Sequence, residues 1–232
     1  MRDATFVFSM DGTSQRFADR REAGQLLAAE LKKEPSLAAG STVVLALPRG
    51  GVPVAFEVAD ALHAPLAAFV VRKLGVPWQP ELAMGAIASG GVRIINDDVT
   101  RYLGIGPEVI ERAAQHEARE LERREQLYNG SRPMPPLAGR TVVLIDDGLA
   151  TGSTMRAAVE AVRKQHPARV IVAVPVGAPD TCRQLEREAD EVICLRRPSS
   201  FNAVGAWYEL FDQTSDAEVR ELLDAAATRV SG

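Results

Sequence analysis

Short apolar runs alternate with stretches of helical hydrophobic spacing along most of this chain, and that alternation confines it to a parallel sheet with crossover helices. The run Thr42–Leu47 is apolar on both faces, as a central strand covered by helices on each side must be. Leu66–Val71, Thr141–Ile145, Arg169–Val174 and Glu191–Leu195 continue the series of strands. The first helix is capped by Asp19 with Glu22 reaching back, carries the stripe Ala23, Leu26, Leu27 and Leu31, and ends before Pro35. A second runs from about Pro53 to Leu62, with proline suited to its first turn. A long charged helix over Pro107–Tyr128 has a narrow stripe of Ile110, Ala114, Leu121 and Tyr128. Further helices are predicted at Ser153–Gln165, near Asp180–Glu188 and at Asp216–Thr228. Residues 72–106 read as a long excursion with short strands at Leu82–Ala88 and Val92–Ile95, and Asn129–Gly139 as a connector.

The fold class is therefore α/β, a parallel sheet flanked by helices. With 232 residues and 46% hydrophobic content, one substantial core is expected. The pattern predicts a single domain over residues 1–232, its core at about 19–174, with 175–232 and residues 1–18 forming a small hood or cap. Lys plus Arg total 27 against 31 Asp plus Glu, so no basic surface for nucleic acid is expected. No stretch approaches the roughly 18 apolar residues of a membrane span, and Met1 to Arg20 has no signal-peptide core. Cys182 and Cys194 lack metal-binding spacing and read as thiols of a reducing compartment, so a cytoplasmic protein is expected. His63, His116 and His166 are scattered and receive no role.

Open parallel sheets bind ligands beyond the carboxyl ends of their strands, and two loops lie at such ends here. In the first, Val142 to Ile145 delivers Asp146 and Asp147, followed by Gly148-Leu149-Ala150-Thr151-Gly152-Ser153-Thr154 at the opening of a helix. Small residues let backbone amides converge on a phosphate, the helix start adds positive potential, and the hydroxyls of Thr151, Ser153 and Thr154 add donors. No Lys follows Gly152, which disfavours a P-loop triphosphatase. Asp146 and Asp147 are placed to accept from a ribose diol or to approach Mg²⁺, directly or through substrate and water. Adjacent carboxylates at a buried strand end repel one another unless something compensates. The second loop, Leu47-Pro48-Arg49-Gly50-Gly51-Val52, joins a glycine pair that permits close backbone approach to a planar guanidinium fork. Its spacing, Gly50-Gly51-Val52-Pro53-Val54-Ala55, does not fit a dinucleotide turn.

These residues resemble the phosphoribosyl-pyrophosphate signature of type I phosphoribosyltransferases. The resemblance implies that Asp146 and Asp147 hold the ribose hydroxyls and that Ala150 to Thr154 hold the 5′-phosphate. Gly148 departs from the aliphatic residue usual there, which is expected to soften the turn without removing a ligand. Arg49, Gly50 and Gly51 are similar to the family's pyrophosphate loop, and Arg72 and Lys73 to its pyrophosphate-contacting basic residues, unless these two are a solvated pair at a strand end. Arg72-Lys73-Leu74-Gly75 and Phe201 to Tyr208 further resemble a group of bacterial members of uncharacterised substrate.

The family implies a pentosyltransferase of nucleotide metabolism that uses 5-phosphoribosyl-1-pyrophosphate (PRPP) and Mg²⁺, often as a homodimer, with Arg49, Lys73, Asp146 and Asp147 as the catalytic set. Relatives using 6-oxopurines often carry Asp at the position of Ala150, so such bases are disfavoured. Trp78, Trp207 and Tyr208 either stack on an acceptor base or pack the excursion and tail onto the core. Some members bind without turnover, so a PRPP- or nucleotide-binding regulator is the alternative.

Overall fold

The computed structural model describes residues 16–35, 37 and 40–230. In chain order the elements are α1 (Arg20–Leu31), β1 (Thr42–Ala46), α2 (Gly51–Leu62), β2 (Leu66–Ala68), β3 (Val71–Val76), β4 (Gln79–Ala88), β5 (Val92–Ile95) and α3 (Asp97–Tyr102). They continue with α4 (Pro107–Asn129), β6 (Thr141–Ile145), α5 (Ser153–Arg163), β7 (Arg169–Val176), α6 (Pro179–Leu185), β8 (Glu191–Arg196) and α7 (Asp216–Val230), with a 3₁₀ turn at Val204–Trp207 before the last.

Five parallel strands form the central sheet in the order β2-β1-β6-β7-β8. Because strand side chains alternate, each strand feeds two cores. Val44, Ala46, Val143, Ile145, Ile171 and Ala173 pack with α1, α2, α4 and α7, whereas Val43, Leu45, Val142, Leu144 and Val172 pack with α5 and α6. The predicted α/β sheet with helices on both faces is thus the observed one.

The run Leu66–Val71 is two elements rather than one strand. β2 ends at Ala68, and from Val71 the chain leaves for a separate antiparallel sheet, β3-β4-β5. The break is held by Val70 N donating to the buried Ser89 Oγ (2.8 Å) and Ser89 N donating to Val70 O (2.9 Å). The small sheet lies between α4 on one face and α5 on the other, so the excursion is an ordered layer. A helix that the pattern did not predict, α3, follows it, capped by Asn96 accepting from Val99 N.

The expected cap differs in its tail. Residues 1–15 lie outside the described residues. Of the tail, α7 packs on α2, α4 and β2 as part of the helix layer, with its first residue, Asp216, near Arg49, and the segment from Phe201 to Asp212 reaches over the acid loop. α2 begins at Gly51 rather than Pro53, because Gly51 N and Val52 N already donate back to Leu47 O and Arg49 O, both at 3.1 Å. Pro53 still falls within the first turn, where a missing N–H costs no helical bond.

Asn129 closes the sheet edge. It is the buried last residue of α4, not the start of a connector, and its amide both accepts from Ala68 N and donates to Ala68 O at 3.0 Å. Asn129→Ala would leave both groups of Ala68 without partners and is expected to lower the unfolding free energy by about 2–3 kcal/mol in denaturant titrations. A loss below about 0.5 kcal/mol would show that this pairing is dispensable.

Candidate active site

β1 and β6 are neighbours, but the chain leaves β1 towards β2 and β6 towards β7. Their two loops therefore meet where the strand order reverses, the place at which open α/β sheets bind ligands. Leu47 N donates to Ile145 O (2.8 Å), joining the loops at their base, and the Pro48–Arg49 peptide is cis.

The glycine pair and the acid pair are interlocked. A methyl group on Gly50 would stand 2.0 Å from Asp147 Oδ2, and one on Gly51 would stand 2.8 Å from Ile145 O and 3.0 Å from Asp146 Cα. A side chain at Gly51 would press on the backbone of β6's end, and one at Gly50 would displace the Asp147 carboxylate from its place. The glycines thus do more than permit a phosphate to approach.

The two carboxylates meet different surroundings. Asp147 Oδ2 accepts from Arg20 Nε at 2.8 Å, with both side chains largely shielded from solvent, and its carbonyl accepts from the Tyr208 hydroxyl at 2.6 Å. Asp146 Oδ1 accepts from Asp147 N at 2.9 Å. Burial of the Asp146 carboxyl, reinforced by the neighbouring Asp147 charge, pushes its pKa well above the ordinary carboxylate range. Burial likewise pushes the Tyr208 phenol up, with the Asp147 charge adding to it, which keeps the hydroxyl a donor.

Beyond the acids, a pocket of about 150 Å³ is lined by Asp146, the loop Gly148 to Met155, and Val204. Gly152 adopts the left-handed conformation (φ 69°) that starts α5 at Ser153, so the first amides of α5, which have no intrahelical acceptor, border this pocket. The loop's outer side is tied down elsewhere. Leu149 N donates to Val176 O (2.9 Å), Ala178 N to Leu149 O (2.8 Å), and Thr181 Oγ1 to Ala150 O (2.6 Å). Gly148 has a packing role that the sequence did not show. A methyl group there would lie 2.6 Å from Val204 Cγ1, so its bareness admits the tail's valine into the space a side chain would occupy.

The predicted cations divide. Lys73 lines a cleft of about 280 Å³ together with Ser153 and Thr154, and its ammonium donates to Glu81 O at 3.2 Å. Arg72 stands on the opposite face of β3 and is paired with Glu117 of α4 at 2.6 Å, away from Lys73. The period of two along a strand separates them. Arg49 lies 3.7 Å from Asp216 at the start of α7. Asp216 also accepts from the Tyr128 hydroxyl (2.8 Å), whose pKa burial and this bond push up to about 12.

Of the three aromatics, Tyr208 is buried between Phe17 and Phe211, with ring centroids 5.4 and 5.0 Å away, and offers no free face to a base. Trp207 is half-buried against the same cluster. Trp78 is exposed at the β3–β4 turn. Arg20 is the residue the sequence reading missed. Its signal was an arginine directly after the Asp19 cap, but nothing in the spacing points to a partner 127 positions away.

Residues 21–210 match the family model described as the phosphoribosyl transferase domain, and the chain belongs to that family. Proteins from two strains of Mycobacterium tuberculosis, provisionally named phosphoribosyl transferases, are 48% identical over 210 residues, which is 90% of this chain and 47% of theirs. The chain thus spans about half the length of these curated relatives. A crystal structure of TT1426 from Thermus thermophilus is 43% identical, with a TM-score of 0.80, covering 90% of this chain and 98% of that one.

A carboxyl whose pKa is raised by folding weighs against the fold wherever it is ionised. The penalty begins as pH rises through the unfolded value, near 4, and grows towards the folded value. Asp146→Asn keeps the acceptor for Asp147 N and removes the charge. Its melting temperature at pH 7 is expected to exceed that of the wild type by a few degrees, with the difference vanishing below about pH 4. A variant less stable at pH 7 would contradict this electrostatic account.

Proposed function

We propose that the chain binds PRPP with Mg²⁺ and transfers its phosphoribosyl group to a nitrogenous acceptor, releasing pyrophosphate. The observation that carries the reading is the acid pair interlocked with the glycine pair at the strand-order reversal, beside an amide-lined pocket. Such a site suits a sugar phosphorylated at two ends. The 5′-phosphate would take the amides and hydroxyls of Ala150 to Thr154, the ribose hydroxyls would donate to Asp146, and the pyrophosphate would lie on Gly50 and Gly51.

Charge develops on the departing pyrophosphate as an acceptor nitrogen attacks the anomeric carbon. Arg49 and Lys73 are the cations available to neutralise it, and holding the reactants in line supplies much of the remaining rate. The donor set fits Mg²⁺, an ion commonly held by one or two carboxylates with substrate phosphates and water. Asp146, which lines the pocket, would be such a carboxylate, with Asp147, paired to Arg20, acting at most through water; no cluster of three metal-ligating residues occurs among the described residues. When bound, the ion would add positive charge at the pyrophosphate. Ala150 offers no carboxylate to a purine ring, which favours acceptors other than 6-oxopurines.

Among the described residues no helix is long and apolar enough to cross a membrane. The proposed chemistry is assigned to a cytoplasmic setting.

Calorimetry is expected to show PRPP binding that requires Mg²⁺, weakened at least about 100-fold by the double change Asp146→Asn, Asp147→Asn. Wild-type protein that gives no heat would remove the reading. Pyrophosphate release across a panel of bases then decides turnover, and binding without release with every base would favour a non-catalytic regulator of the same fold.

A further inference from the structure

Among the described residues one cation, Arg20, is paired with the acid pair, and it also holds the C-terminal tail. Arg20 Nε donates to Asp147 Oδ2 (2.8 Å) while Nη1 donates to Asp212 O (2.7 Å). The guanidinium lies 3.9 Å from the Phe211 ring centroid and 6.0 Å from that of Tyr208. Tyr208 closes the circuit by donating to Asp147 O (2.6 Å), so residue 147 is gripped at carboxyl and carbonyl. Only 12% of the Arg20 side chain is exposed.

Arg20 cannot shift freely. It is the first residue of α1, behind the Asp19 cap, and α1 packs so closely on α2 that a methyl group on Gly24 would sit 2.8 Å from Val54 O. Lysine could supply the charge but not the flat fork that reaches a carboxylate and a carbonyl while stacking on a ring.

Resting on the PRPP reading of the loop, we propose that Arg20 is a positioning residue of the donor site: it pins Asp147 against Gly50 and leaves Asp146 as the carboxylate that faces the pocket. The two acids then have different tasks. Asp146 lines the pocket, whereas Asp147 is turned to the pyrophosphate loop and locks the two loops together. The tail takes part through Tyr208, Phe211 and Asp212, so a segment remote in sequence sets the geometry of the acid loop.

The test compares Arg20→Met, Arg20→Lys, Tyr208→Phe and Asp147→Asn, with the double change Arg20→Met, Asp147→Asn. Two readouts are needed: PRPP affinity with Mg²⁺ by calorimetry, and amide hydrogen exchange of the ligand-free proteins. Arg20→Met is expected to weaken PRPP binding about 10–100-fold, the range typical of residues that orient a ligand-bearing side chain. Arg20→Lys should recover part of that loss, and the double variant should bind no worse than Asp147→Asn alone. Losses that multiply, or wild-type affinity in Arg20→Met, would overturn the proposal.

In hydrogen exchange, Arg20→Met should speed exchange both at 146–152 and at 208–212. Should that variant not fold, Tyr208→Phe, which removes one hydroxyl, carries the same expectation for 146–150. Unchanged exchange in the acid loop refutes the clamp. A wild type that ignores PRPP, with the exchange effect intact, would instead sink the donor reading and leave the clamp standing.

Discussion

The contact between Asp147 and Gly50 is the constraint on which the site depends. The Asp147 carboxylate lies where a side chain on Gly50 would have to go, 2.0 Å from a would-be methyl group, and Arg20 holds it there. With Gly51 under the strand end at Ile145 and Asp146, the contact makes two loops from separate crossovers into one surface. Placing two like charges there is unfavourable, and Arg20, paired with Asp147, offsets part of it. Asp146 is left under electrostatic pressure, ready to be relieved by a partner that brings positive charge or hydroxyl donors.

The surrounding layers follow from this need for a fixed meeting point. Parallel strands buried on both faces give the loops a rigid base, and β1 and β6 are paired in register from Thr42 with Thr141 to Ala46 with Ile145. The small antiparallel sheet brings Lys73 to Ser153 and Thr154 at the start of α5, and the tail brings Val204 and Tyr208 over the acids. Each of these contributions ends at the same loop. The match of residues 21–210 to the phosphoribosyl transferase domain agrees with that convergence.

How much of this could be read from residues alone depended on range. β6 and α5 were legible because a continuous apolar run and a following helical period are local signals, and the acid pair stood between them. The run Leu66 to Val71 misled because its apolar residues continue across the point where the chain passes from one sheet to another. Asn129 looked like a loop residue because its burial depends on pairing with Ala68, far away in sequence. The space for Val204 over Gly148 was equally hidden, since a bare glycine does not name its neighbour. Arg72 and Lys73 could have been separated by strand alternation, had β3 been recognised.

The most direct test of the account is a crystal structure with PRPP and Mg²⁺ bound. The account predicts phosphate density among the amides of residues 150–154, ribose oxygens on the Asp146 carboxylate, and Asp147 still held by Arg20 against Gly50. An empty loop, with the sugar bound elsewhere and Asp146 unchanged, would contradict it.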